Sequence, residues 1–409
     1  MNRRDLLKSG MIAAGAAALG LAGCNKADES NNALKRDNFE IIPKQTDVYK
    51  ISAPMLFHYP AIDKLAECNK KYEKIKVETL YNSIPWPQAS NFNEWFTLFR
   101  GGSNPDIKTF DDYARYIDYS RNKGFKVVYL MNSPKAFNDK DIAPLRGAFY
   151  KLLDNLYRIG LTQIKVANTQ VAQLINEYNP NFKLSASTIF EYHSIIQYKG
   201  LIKRFPNINH IGVTKDENQN FRLLKALRET FPDITLEMMI DEGCLKGCYS
   251  RMSCMASSYS TYYKLGCKDS SEWPALCVYK NGALHPWDLP YYSAIGINNF
   301  KTVPEQQRAS DKTQDHVVIF MDVVEYGEKS EYYKKYVAAA LPIKRVLQHM
   351  SVKEALSYFN NMEYYVKFGD RCHTQCGVTC NYCDTRAREL DRLNKLFAEK
   401  DGEEPDKQV

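Results

Sequence analysis

The chain has 409 residues, 44% hydrophobic and 12% aromatic, enough for one large domain with an appendage or for two ordinary domains. Its formal charge is +7, and setting aside Arg3, Arg4, Asp5 and Lys8 leaves +5. So mild and dispersed an excess argues against nucleic acid as a partner.

The chain opens with NRRDLLKSGMIAAGAAALGLAGC after the initial Met. Arg3-Arg4 followed by Leu6-Leu7-Lys8 resembles a twin-arginine export signal, with Leu6 where Phe is commonest. The apolar run from Met11 to Ala22 is short of the ~20 residues that span a bilayer as a stable helix. It ends in Leu21-Ala22-Gly23-Cys24, which resembles a bacterial lipobox with cleavage before Cys24 and lipid on its thiol. The expectation is export by the twin-arginine route and attachment to a membrane through Cys24, facing the periplasm or the exterior. Twin-arginine export carries folded proteins, and a metal cofactor inserted in the cytoplasm is the usual reason to need it. Residues 25–48 are polar and aperiodic, as a flexible tether would be.

From Lys50 onward, short β-branched runs alternate with helical patterns. Strands are predicted at Lys50–Phe57, Ile75–Tyr81, Phe125–Met131, Gln163–Ala167, Lys183–Thr188, Ile208–Val213, Ile234–Ile240 and Ile297–Val303. Amphipathic segments lie between them, among them Phe110–Lys123, Ile142–Ile159, Gln170–Tyr178 and Phe221–Phe231. Each strand reads as apolar along its length, as a parallel sheet covered on both faces demands. Eight such units over roughly 255 residues predict a (β/α)8 TIM-like barrel across 49–305, with a doubly wound sheet as the alternative. Residues 306–409 are predicted to form a helical, cysteine-rich C-terminal extension. Within it His316–Val324 is apolar, and Tyr332–Met350 and Val352–Tyr358 read as helices.

In a barrel, chemistry sits on the loops after the strands. The polar residues at predicted strand ends are His58, Asn132, Asn168, Glu191, Asp216 and Lys301. Most such residues are solvated or hydrogen-bonded loop residues, and only Lys301 and His58 are carried forward as catalytic candidates. The insertion from Tyr81 to Asp106 carries Trp86, Trp95 and Phe99, equally suited to line a pocket or to form the loop's own small core.

The densest signal follows the seventh strand, where Cys244, Cys248 and Cys254 fall within eleven residues, with Cys267 and Cys277 beyond. A second group, Cys372, Cys376, Cys380 and Cys383, stands in the extension. Disulfides are permitted outside the cytoplasm. However, closely spaced cysteines make poor staples, and a body of this size needs none. Ligation is favoured for both groups, and four thiolates suit either iron–sulfur or zinc. Cys376-x-x-x-Cys380-x-x-Cys383 has the radical-SAM spacing. That motif opens a barrel, though, and only 26 residues follow Cys383, so the reading is rejected. Cys68 reads as a buried helix residue.

Asp241-Glu242-Gly243-Cys244-Leu245 with Cys248 and Arg251, then His285-Pro286-Trp287-Asp288-Leu289, Tyr291-Tyr292 and Gly296-Ile297-x-x-Phe300-Lys301, resembles the collagenase-like peptidases of unknown type, family thirty-two. The resemblance covers most of residues 50–305. It implies a TIM-like barrel and, in some branches, a four-cysteine 4Fe–4S cluster that supports oxygen-independent hydroxylation. By position Cys244, Cys248 and Cys277 would be ligands, with Cys254 the best fourth. Asp241 replaces the usual Asn, Cys254 stands where relatives often have His, and Pro304-Glu305 replaces Gly-Arg. The resemblance implies a redox enzyme on a small or lipidic substrate, with one 4Fe–4S cluster or two, zinc being the alternative at the C-terminal group. An electron donor would come from elsewhere. Peptidase activity, as the family label says, and a non-catalytic electron-transfer lipoprotein are the alternatives. The chain has neither a His-Glu-x-x-His zinc motif nor a Gly-x-Ser-x-Gly elbow.

Overall fold

The fold is taken from a computed structural model, which describes residues 39–82, 107, 109–134, 143, 146–240, 246–248, 251–256, 282–302, 314–341, 343–372, 375 and 378–402. The leader, Cys24, the Trp86–Phe99 insertion, Cys244, Cys267, Cys277, Cys376 and the side chain of Cys254 lie outside the described residues.

Eight parallel strands close into a barrel in chain order. They are β1 (Tyr49–Pro54), β2 (Ile75–Asn82), β3 (Lys126–Met131), β4 (Gln163–Val166), β5 (Lys183–Ala186), β6 (Ile208–Gly212), β7 (Thr235–Met239) and β8 (Asn299–Lys301). The closing pair is β1 with β8, in the register Lys50↔Asn299, Ile51↔Phe300 and Ser52↔Lys301. All eight predicted strands are present; β2 runs one residue longer than predicted, to Asn82, and the others are trimmed at one or both ends. The helices between them are α1 (Tyr59–Lys71), α2 (Phe110–Asn122), α3 (Arg146–Arg158), α4 (Thr169–Tyr178), α5 (Ile195–Arg204), α6 (Phe221–Thr230) and two short ones, α7 (Arg251–Ala256) and α8 (Leu289–Ser293). Local chemistry starts several of them. Thr109 and Asp112 form a capping box on α2, and Asn168 and Asn220 accept from the third amides of α4 and α6.

Alternation along the strands sorts the side chains onto two faces. Ile51, Val77, Val127, Ile164, Leu184, Ile211, Leu236 and Phe300 point outward and pack with the helices in one large core. The lumen positions differ from the expected apolar run. Ser52, Lys165, Ser185, His210, Glu237 and Lys301 stand there, while Tyr81, Val128 and Leu130 form a small apolar cluster of their own. A strand of four to six residues has only two or three lumen positions. One polar residue in each of β1 and β4 to β8 leaves the sequence looking apolar overall.

After β8 the chain is helical: α9 (Asp315–Tyr326), α10 (Tyr333–Ala340), α11 (Val346–His349), α12 (Val352–Phe359), α13 (Met362–Phe368) and α14 (Tyr382–Asp401). The single helix expected over Tyr332–Met350 is two. α10 stops at Ala340 because Pro342 lacks an amide hydrogen and bars the residue before it from helical geometry. Val317, Phe320 and Met321 of α9 and Met362, Tyr365 and Val366 of α13 join the main core. Residues of α10, α11, α12 and α14 form a second cluster around Val346, Phe359 and Leu390.

Candidate functional site

The loop after β7 is anchored at its described points to the loops after β5 and β6. Cys248 O accepts from Arg251 N at 3.1 Å, opening α7. The Arg251 guanidinium, 5% exposed, donates to Asp216 Oδ1 at 2.6 Å and to Glu191 Oε2 at 3.2 Å. Asp216 Oδ2 also accepts from Gly247 N at 2.9 Å, so one carboxylate holds two points of the loop. Thr214 Oγ1 donates to Glu191 at 2.9 Å. Asn218 Nδ2 donates to Met239 O at 2.8 Å, where the loop leaves β7, and to Gly282 O at 3.0 Å, where it returns. A charged pair this buried is costly to break from one side and holds its segment in one place.

Glu217, fully buried, accepts from Asn220 at 2.7 Å and lies 2.8 Å from His193 Nδ1. That hydrogen bond, opposed by burial and helped by the nearby carboxylates, raises the His193 pKa. Glu191 and Asp216 are hydrogen-bonded loop residues, as most polar residues at strand ends are. The roles of Glu217 and Asn218 were not anticipated. Their only sequence signal is the unbroken polar run Lys215-Asp216-Glu217-Asn218-Gln219-Asn220 directly after a buried strand.

The C-terminal extension reaches the same side of the barrel. Gly369 lies against the loop after β6, and a Cβ there would overlap Gln219 O. The neighbouring Cys372 is 7% exposed. Burial raises its thiol pKa, Lys246 draws it down, and Cys380, Asp370 and Glu217 push it up. Lys246 stands two residues before Cys248, with Nζ 5.4 Å from the centre of the Tyr365 ring. Tyr364 Oη lies 3.1 Å from Cys380 Sγ, and its ring stacks on Tyr382 at 3.6 Å. Cys383 adds to the burial that raises the Tyr365 pKa well above its usual value. Three thiols of the second cysteine group therefore gather beside the loop that carries the first. Among the described residues no three His, Cys, Asp or Glu side chains are arranged to hold a metal. Most of the first group's thiols, and Cys376, are not among those residues.

The catalytic candidates fall elsewhere. His58 is the N-cap residue of α1, at the turn after β1. Lys301 closes β8 on the lumen side, 6% exposed, with Nζ 4.1 Å from the centre of the Tyr81 ring. Below it Glu237 is fully buried, ion-paired with Lys165, 2.6 Å from Ser52 Oγ and 3.3 Å from His210 Nε2. Burial would raise the Glu237 pKa. Lys165, His210 and Lys301 overcome that and hold it well below the carboxylate range. His285, from the predicted motif, packs its ring on Trp287 at 4.9 Å, and burial lowers its pKa to about 4. Cys68 is a buried residue of α1, as expected.

A profile of Peptidase family U32 matches residues 104–274, from before α2 into the cysteine loop after β7. Over that stretch the chain resembles peptidase family U32. No curated protein matches the chain. Among solved structures it is similar to the U32 peptidase Mk0906, at 11% identity and a TM-score of 0.39, covering 67% of this chain and 99% of that one. It is also similar to the endo-β-1,4-mannanase from Thermotoga petrophila, at 8% identity and a TM-score of 0.35, over 70% and 78% of the two chains. The D-psicose 3-epimerase from Clostridium cellulolyticum H10 matches at 10% identity and a TM-score of 0.33, over 73% and 98%. The U32 match ends three residues before Cys277, so it takes in Cys244, Cys248 and Cys254 of the expected ligand set.

Proposed function

We propose that this chain is a U32-family redox enzyme of the oxygen-independent hydroxylation type, working at the C-terminal mouth of the barrel on a small or lipidic substrate. The observation that carries the reading is the gathering of Cys372, Cys380 and Cys383 beside the loop whose sequence carries Cys244, Cys248 and Cys254, with Lys246 of that loop close enough to Cys372 to draw its pKa down. An all-thiol donor set suits iron–sulfur first and zinc second. Cys244, Cys248, Cys254 and Cys277 would hold a 4Fe–4S cluster. Cys372, Cys376, Cys380 and Cys383 would hold a second cluster or a zinc ion. Such a cluster, when bound, supplies one-electron transfer.

The chain's own residues do the rest. Arg251, Asp216 and Asn218 keep the loop in place, Tyr364, stacked on Tyr382, holds Cys380 through its hydroxyl, and Lys246 offers a positive charge that favours thiolate over thiol. Electrons would come from a separate donor. Lipid attachment at Cys24 and export by the twin-arginine route are part of the same reading, supported by Arg3-Arg4 and Leu21-Ala22-Gly23-Cys24. Among the described residues no helix is long and apolar enough to cross a membrane. The family's name favours the second reading, a peptidase. A cysteine nucleophile works best with a base that titrates near the working pH, and His285 is too far depressed to serve well.

Anaerobic purification of residues 25–409 with iron, zinc and sulfide assays tests the proposal. A brown protein with about four or eight irons, losing one cluster's worth in Cys244→Ala, is the expected result. Iron-free protein with its cysteines paired as disulfides, or protein that cleaves peptides without metal, would overturn it.

A further inference from the structure

The opposite end of the barrel holds a cavity of about 390 Å³ that the proposed chemistry does not use. It opens among the first residues of the strands, and Lys50, Lys126, Gln163, His210, Thr235 and Asn299 contribute to its wall. The N-terminal end of such a barrel is ordinarily closed by packed branched side chains, and here the lumen positions are polar. At roughly 30 Å³ per water molecule, the space is that of about a dozen waters, ample for a small organic ion.

The charge of the wall is lopsided. Four cationic side chains, Lys50, Arg121, Lys126 and Lys165, face two anionic ones, Glu78 and Glu237. Lys165 and Glu237 cancel as a buried pair. Lys50 at 3.5 Å and Lys126 at 3.1 Å share the single carboxylate of Glu78. Arg121 donates to Ile159 O and Gly160 O, neutral acceptors that leave its charge uncompensated. The approach depends on Gly160, where a Cβ would meet Arg121 Nη1 at 3.1 Å and the backbone has φ +72°. Gln163 Nε2, hydrogen-bonded to Ser185 at 2.6 Å and Asn209 at 3.0 Å, adds a polar wall between them.

We infer that the N-terminal mouth of the barrel is a binding site for a small oxyanion of the phosphate or polycarboxylate class, separate from the cysteine end. The two surplus positive charges supply the attraction, and the partly walled cavity strengthens it by keeping part of the field out of water. The site is independent of any metal, so its test does not depend on the redox reading.

Isothermal titration of the full chain with inorganic phosphate and with citrate, at low and at high salt, tests this. Both anions should bind saturably and more weakly as salt rises, with glycerol as a silent control. Lys50→Gln with Lys126→Gln, at the solvent-facing rim, should weaken binding at least about tenfold without changing the anion-free melting temperature. Glu78→Gln should tighten it, because the opposing charge is gone. An absence of saturable binding by the native chain, or affinities unchanged across these variants, would overturn the assignment. So would weakening in Glu78→Gln.

Discussion

At Asp288 the fold holds an acid where its charge is unwelcome. The carboxyl is 4% exposed, and burial raises its pKa from 3.8 to about 7, while the hydrogen bond from His285 N at 2.8 Å pulls it down. Between those two pH values the folded chain keeps a proton that the unfolded chain has lost. Stability therefore falls as pH rises from about 4 to about 7 and is level above that. Three units correspond to about 4 kcal/mol at most. Asp288→Asn keeps an acceptor for His285 N and removes the charge. Its melting temperature relative to the native chain should rise from pH 4 to pH 7 and then stay constant. A gap that does not depend on pH would refute the assignment. His285 runs the other way, since its pKa is depressed to about 4 and stability is lost as pH falls from 6.5 toward that value. Because that contribution is common to both proteins, it cancels in the comparison.

At the scale of elements, the decisive contact is between α13's end and the loop after β6. Gly369 is required there by close approach, with Gln219 O occupying the place of a side chain. Gly369→Ala must push the extension away or bend the loop, at a cost of about 3 kcal/mol. The expected signature in chemical denaturation is lower stability together with faster thiol labelling of Cys372, which is 7% exposed in the native fold. Lower stability with unchanged labelling would mean that the extension stays docked and the loop yields instead. The loop after β7 is tied just as specifically, through Arg251 to Asp216 and Glu191 and through Asn218 to Met239 and Gly282. These are the contacts that bring a long cysteine-bearing segment back to one place on the barrel rim.

Over the whole molecule, barrel and extension share one core. α9 contributes Val317, Phe320 and Met321, and α13 contributes Met362, Tyr365 and Val366, to the cluster that surrounds the strands. A chain ending at Thr302 would expose the apolar faces these helices cover. Each such side chain is worth about 1.5–3 kcal/mol when fully buried. That truncation should aggregate or elute as a swollen species in size-exclusion chromatography. A monomeric, cooperatively melting product would show that the barrel is complete without its extension.

The eight alternating strand and helix units were legible in the chain because they depend on local patterns: β-branched runs of strand length, separated by amphipathic segments long enough to cover them. Strand order, and with it closure into a barrel rather than a doubly wound sheet, came from the tertiary structure. The cysteine loop's place at the C-terminal mouth followed from its position after the seventh strand. What no local pattern carried was the meeting of residues far apart in sequence. Lys165 pairs with Glu237 across the lumen, Arg251 with Asp216 and Glu191, and Gly369 touches Gln219. Each of these residues alone reads as an ordinary loop or strand residue, because a charge shows its purpose only beside its partner. The division of most strands into an apolar outer face and a polar lumen was equally hidden. A strand of four to six residues is too short for its alternation to stand out until closure of the barrel decides which face is inside.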